Sequence, residues 1–96
     1  MADVFKAIAD PTRRIILDEL AERDDQTLFE LCGRLIMKHD LSMSRQAVSQ
    51  HLEVLEQADL VRTRREGRYK FHSINTAPLE PIVTRWLNRP KQGEQS

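Results

Sequence analysis

A single cysteine, Cys32, leaves this 96-residue chain without an internal disulfide, which fits a reducing compartment and an expected cytoplasmic location. Three glycines in all leave no Gly-rich loop able to cradle phosphates. No apolar run approaches the roughly 20 residues that a membrane-spanning helix needs, so no membrane association is expected. The opening MADVFKAIAD carries acidic residues and no long apolar stretch, and is not expected to be a signal peptide. Excess charge of either sign is also lacking: fifteen Lys and Arg stand against fifteen Asp and Glu. Global basicity therefore says nothing about nucleic acid, and the distribution of charge has to be read instead. Catalytic groups are equally sparse. Cys32 has no His–Asp arrangement near it in sequence, and adjacency alone does not place His39 and Asp40 for acid–base work, so no enzyme is expected. A zinc or soft-metal site needs three or four converging N or S ligands; Cys32, His39, His51 and His72 are too scattered, so no metal and no cofactor are expected.

What is present is a succession of amphipathic helices, in a length that suits one domain. Val4, Phe5, Ile8 and Ala9 give a short apolar face. Asp10-Pro11 then pairs an N-cap residue with a proline at the first helical position, predicting a second helix to about Glu22 with Ile15, Ile16, Leu17, Leu20 and Ala21 inward. Arg13 and Arg14 fall in its first turn, where the helix dipole disfavours cations; a phosphate, an acidic neighbour or simple solvation would account for them. After a polar turn at Asp24 to Gln26, Thr27 and Glu30 have capping-box spacing. They predict a third helix to Lys38 or His39 with Leu28, Leu31, Leu35 and Ile36 on its buried side. Asp40 to Met43 turns into a fourth helix capped by Ser44 and reaching Ala58, whose Val48, Leu52 and Leu55 form one apolar stripe. A capped helix, a short turn and a second amphipathic helix make a helix-turn-helix.

The outer side of that fourth helix carries Arg45, Gln46, Ser49 and Gln50 towards its N-terminal end, after Ser44. Such side chains read base edges in the major groove, Arg pairing with guanine, Gln with adenine and Ser with either. The following LVRTRREGRYKFHSI predicts a β-hairpin with strands at Leu60 to Arg65 and Arg68 to Ile74, turning at Glu66-Gly67. It bears Arg62, Arg64, Arg65, Arg68 and Lys70 against one acid, Glu66. Between Leu41 and His72 there are six Lys and Arg and four Asp and Glu; between Met1 and Asp40 the balance is six against nine. Zero net charge thus conceals a basic wing, the electrostatic footprint of a phosphate-binding surface, so double-stranded DNA is the expected partner. A last helix starts near Ala77-Pro78 and ends at Asn88 to Pro90, with Leu79, Ile82, Val83, Trp86 and Leu87 apolar. It packs on its own core or, with the N-terminal helix, covers a two-fold partner. Residues 1–90 would be the domain and 91–96 a disordered polar tail.

Taken together these residues resemble the ArsR-type (arsenic-repressor-like) winged-helix regulators of bacteria. The resemblance lies in Ala9-Asp10-Pro11-Thr12-Arg13-Arg14, in Arg45-Gln46-Ala47-Val48-Ser49-Gln50-His51-Leu52, in Leu55, Ala58 and Leu60-Val61, and in Arg65-Glu66-Gly67-Arg68-Tyr69. It implies a mainly α fold with a small β-hairpin, a winged helix-turn-helix of order α-α-α-α-β-β-α. It further implies a homodimer joined by its first and last helices, through Val4, Phe5, Ile8, Leu79, Ile82, Val83, Trp86 and Leu87, repressing transcription at an operator. DNA contacts would carry over to Arg45, Gln46, Ser49, Gln50 and, in the wing, Arg64, Arg65 and Arg68.

Two departures bear on sensing. Some family members hold metal through a Cys-x-Cys pair on the third helix; here that place reads Cys32-Gly33-Arg34. Others use Asp and His on the last helix, and residues 77–90 contain neither. The chain resembles members without a metal switch. The alternative is a winged helix that binds protein or RNA without reading DNA sequence, since fold does not fix function. Such a surface should expose aromatic anchors; of Phe5, Phe29, Tyr69, Phe71 and Trp86, all but Tyr69 are expected to be buried.

Overall fold

The computed structural model describes residues 3–87. The predicted tail at 91–96 and the helix end at 88–90 lie outside them. Five α-helices and a small sheet follow in the order α1 (Val4–Ala9), α2 (Pro11–Glu22), β1 (Gln26–Thr27), α3 (Leu28–His39), α4 (Arg45–Gln57), β2 (Val61–Glu66), β3 (Tyr69–Ile74) and α5 (Glu80–Trp86), the last preceded by a 3-10 turn at Ala77–Leu79.

The helix starts are set by their caps. Asp10 Oδ1 accepts from the Thr12 and Arg13 amides at 2.8 and 3.1 Å and opens α2. Thr27 and Glu30 complete a reciprocal capping box at α3, and Ser44 Oγ accepts from the Ala47 amide at 3.1 Å to open α4. Each such cap is worth about 1 kcal/mol. Asp40 ends α3 in the left-handed region, φ 52°, a conformation that Asp tolerates better than most residues. Ile16 and Leu20 of α2, Leu31 and Leu35 of α3, Val48, Leu52 and Leu55 of α4, and Leu60 and Val61 entering β2 form one buried core. Ala21 and Ile36, expected inside, are exposed: Ala21 sits on the shoulder of the α2 apolar stripe, and Ile36 lies with Phe29 and Met37 on the outer side of α3.

Arg13 and Arg14 have neither phosphate nor acid as their main partner. The last four carbonyls of a helix have no partner within it, and those of α1 belong to Lys6, Ala7, Ile8 and Ala9. Arg13 Nη2 and Nε donate to the carbonyls of Lys6 and Ala7 at 3.1 and 2.8 Å. Arg14 Nη1 donates to those of Ile8 and Ala9 at 2.7 and 3.0 Å. The two cations of α2's first turn therefore cap the negative end of the helix before it, which resolves the conflict with α2's own dipole.

The sheet has three strands, not two. Asp24 and Asp25 form the expected turn, but Gln26–Thr27 pairs antiparallel with β3, giving the order β1-β3-β2. Between β2 and β3, Glu66 pairs with Tyr69, so the hairpin turns at Gly67-Arg68, one residue later than expected. Gly67 takes φ +61° at the first turn position, which an L side chain adopts at a cost, and Arg68 moves from the strand to the tip of the wing.

Three polar side chains, Glu19, Gln26 and His72, are buried. Glu19 of α2 is fully buried, where its carboxylate accepts from Gln26 Nε2 at 2.9 Å, lies 3.1 Å from His39 Nε2, and pairs with Arg34 Nε. Burial alone would raise its pKa; the hydrogen bonds from Arg34, Gln26 and His39 outweigh that and hold it below the usual range. His72 of β3 is buried with Nδ1 3.0 Å from the Gln26 carbonyl, to which it donates, and burial pushes its pKa down. These contacts tie α2, β1, α3 and the wing into one rigid frame beneath α4.

Candidate nucleic-acid interface

Helix α4 turns Val48, Leu52 and Leu55 into the core and leaves Arg45, Gln46, Ser49 and Gln50 exposed on the opposite side. All four line one open groove of about 500 Å³ that reaches Lys70 of the wing. Ser44 is exposed too, but its oxygen already accepts from the Ala47 amide, which leaves its hydroxyl proton and one lone pair for another group. Carboxylates lie in the C-terminal half of the helix, at Glu53 and Glu56, which leaves the N-terminal half as the cationic end. A second groove of about 280 Å³ runs from Ser49 past Glu56 to Arg68 and Tyr69, joining the helix to the tip of the wing.

The five wing cations divide by the alternation of side chains along a strand. Arg65 and Lys70 stand opposite each other in the β2–β3 register, on the sheet face that also carries buried Val61 and His72 and meets α4. Lys70 Nζ lies 3.7 Å from Glu56 Oε2 on that helix. Arg62 and Arg64 fall on the other face. There Arg64 donates to Asp25 at 2.6 Å and to Glu66 at 3.3 Å and lies 4.5 Å from the centre of the Phe71 ring. The hydrogen bond from Arg64 holds the Asp25 carboxyl below its ordinary range. Arg62 pairs with Asp59 at 3.4 Å. Among the described residues, Arg45, Arg65 and Arg68 have no ion pair with the rest of the chain.

The arrangement thus presents an exposed, hydrogen-bonding N-terminal helix half beside unpaired arginines on a projecting hairpin. The matching family model is a helix-turn-helix domain, over residues 8–64. Over 84 residues, spanning 88% of this chain and 91% of the relative, the sequence is 51% identical to an HTH-type transcriptional regulator of Bacillus subtilis, YuzN. It is 37% identical over 94 residues, 98% of this chain and 97% of the relative, to the transcriptional repressor SdpR of the same organism. Among solved structures, an ArsR-like transcriptional regulator from Rhodococcus superposes with a TM-score of 0.73 at 34% identity, over 85% of this chain and 69% of that one. The chain belongs to the ArsR-type transcriptional regulators.

In this ArsR-type regulator Cys32 stands alone on α3, half-buried against the core and pushed by burial towards the neutral thiol. Among the described residues no three His, Cys, Asp or Glu side chains are grouped to hold a metal, and no helix is long and apolar enough to cross a membrane. The aromatics depart from expectation. Phe5, Phe29 and Trp86 are exposed along with Tyr69, and Phe71 is only half-buried. Phe5 and Trp86 line an apolar groove of about 380 Å³ with Val4, Pro78, Pro81 and Ile82, between α1 and α5. Of the eight residues expected at a subunit interface, Phe5, Val83, Trp86 and Leu87 are exposed and Val4, Ile8, Leu79 and Ile82 are half-buried. Phe29, Ile36 and Met37 form a separate exposed apolar stripe on α3, turned away from the core face of Leu28, Leu31 and Leu35.

Proposed function

We propose that the chain is a repressor that binds a palindromic operator as a homodimer, α4 reading the major groove and the inner face of the wing gripping phosphates. One observation carries the reading: the carboxylate-poor half of α4 and Arg68 of the wing line two grooves that share Ser49 and Lys70, and the unpaired Arg65 stands opposite Lys70 on the same sheet face. Gln46, Gln50, Ser49 and Arg45 read bases, with Ser44 in a lesser part, and Arg65, Arg68 and Lys70 bind phosphates. Arg62 and Arg64, held by carboxylates on the sheet face turned away from α4, contribute to the field more than to contacts, whereas Lys70, although 3.7 Å from Glu56, stands on the face that meets α4. The exposed apolar groove between α1 and α5 supports the dimer, because a domain this small covers such surface by pairing. That the 37% identical relative is a transcriptional repressor supports the sense of regulation. Palindromy follows from the two-fold, which places recognition helices one turn of DNA apart, about 34 Å. Cys32 lacks the second cysteine of a Cys-x-Cys pair, which favours control without metal.

A second reading has its own support in the exposed Phe29, Ile36 and Met37, which are the kind of anchors that a protein-binding module displays. Fluorescence anisotropy on DNA from upstream of the gene, against random duplex at two salt concentrations and with or without zinc, separates the two. Selective, salt-sensitive binding indifferent to zinc supports the repressor; equal binding to both duplexes transfers the weight to the protein-binding module; release by zinc reopens a metal site at Cys32.

A further inference from the structure

Arg13 is committed to three elements at once. It sits in the first turn of α2, and two of its nitrogens hold the Lys6 and Ala7 carbonyls of α1. The third, Nη1, lies 3.2 Å from Nδ1 of His51, in the middle of α4. A guanidinium has only donors, so His51 Nδ1 must be the acceptor, and its ring proton belongs on Nε2. The side chain of Arg13 is 17% exposed, so this is a shielded contact rather than a surface encounter. His51 lies one residue from Gln50, while Lys6 and Ala7 lie beside Phe5 and Ile8. One guanidinium therefore connects the helix with the exposed dimer-type surface to the helix with the exposed base-reading surface.

We infer that Arg13 is a positioning residue for DNA recognition: acting through His51, it fixes the orientation of α4 relative to α1, so that the subunit contact and the base contacts are held as one rigid unit. This rests on the dimeric DNA-binding reading above. The physical need is geometric. Each recognition helix stands about 17 Å from the two-fold axis, half the spacing of adjacent major grooves, so a tilt of a few degrees moves its side chains by more than an ångström. That displacement takes a hydrogen bond outside its range of length. A helix of six residues such as α1 has no stability of its own to resist it, and depends on such ties. Random duplex, held through phosphates that tolerate small shifts, does not need the same accuracy.

The test compares Arg13→Lys, His51→Ala, His51→Asn and the Arg13→Lys/His51→Ala pair, by anisotropy on a two-half-site duplex and on random duplex, alongside thermal melting and dimer mass. His51→Ala and Arg13→Lys should each weaken selective binding about tenfold, the scale of one lost base contact, with little change on random duplex. The double variant should lose no more than the worse single one, since both remove one link. His51→Asn, whose Oδ1 stands near the place of Nδ1 and accepts without titrating, should recover most of the loss. Additive losses would mean that His51 acts separately, as a direct DNA contact would, and would overturn the proposal, as would failure of His51→Asn to recover binding. Should Arg13→Lys unfold α1, His51→Ala against His51→Asn decides, because neither variant touches the α1 carbonyls. Nitrogen-15 NMR of the imidazole, without DNA, should find Nδ1 unprotonated; a proton there overturns the tie. A wild-type chain that prefers no duplex overturns the functional reading itself, and the positioning role with it, whatever the tautomer.

Discussion

Arg65 and Lys70 face each other across the β2–β3 ladder on the side of the wing that meets α4, while Arg64, one residue away, points to the other side and donates to Asp25 at 2.6 Å. The hairpin thus carries the unpaired Arg65 on one face and the carboxylate-bound Arg64 on the other. Arg65→Ala should weaken binding to all duplexes alike and lower the slope of log affinity against log salt by about one, the share of a single phosphate contact. Arg64→Ala should leave that slope unchanged within error. Equal slopes for the two variants would mean that the alternation of the strand does not assign their roles.

Glu19 should be the most sensitive single position in the frame. It is fully buried with Arg34, Gln26 and His39 as partners, and its loss strands their donors. Glu19→Ala should cost about 3 kcal/mol, the lower end for breaking a buried pair because Arg34 and His39 still reach water. Chemical denaturation checks this. Since the folded pKa of Glu19 lies below its ordinary value, its contribution is present above about pH 4.3 and is lost as pH falls through the folded value. A Glu19→Gln variant should show a shallower loss of stability in that acid window.

His72 works in a higher window. Burial lowers its folded pKa, so the unfolded chain takes up a proton first, starting near pH 6.5, and stability falls from there as pH drops towards the folded value. Nothing is lost above that window. Thermal melting between pH 7.5 and 5.5 should therefore show a decline that His72→Gln reduces. An unchanged decline in that variant would place its origin in another group.

Trp86 is half exposed on α5, beside exposed Phe5. Trp86→Asp should lower the mass in sedimentation from dimer to monomer at micromolar concentration. Far-UV circular dichroism should be unchanged, because the side chain is not part of the buried core. A dimer that survives this change would place the two-fold elsewhere, with the apolar stripe of Phe29, Ile36 and Met37 as the next surface to substitute.

The helices were legible because their signals are local. Asp10-Pro11, the Thr27–Glu30 box and Ser44 are caps, and caps act within one turn. The wing was legible as a hairpin but not in register, since a shift of one residue leaves an alternation of Arg with β-branched residues looking much the same. A two-residue strand has no period at all, so β1 could not be seen. Arg13 and Arg14 gave the right clue, cations against a dipole, but their partners are carbonyls, which every residue has and no composition reveals. The buried Glu19 was hidden because its partners are side chains distant in sequence, from β1 and from the middle and C-terminal end of α3. Burial of the aromatics was misjudged because Phe5 and Trp86 lie on a surface that one copy of the chain leaves open. The exposed Arg45, Gln46, Ser49 and Gln50 of α4 were readable as a face, whereas the division of the wing cations awaited the register.

The most direct test of the whole account is selection of bound sequences from a randomised duplex pool, by the wild-type chain and by Gln50→Ala. A two-fold symmetric site with half-sites one turn apart should be enriched, and Gln50→Ala should relax one symmetric pair of positions, at about 1–3 kcal/mol of lost discrimination. A pool that remains unenriched after selection, while the protein still binds it with steep salt dependence, would contradict it: α4 would then be a surface held near phosphates, not a reader of bases.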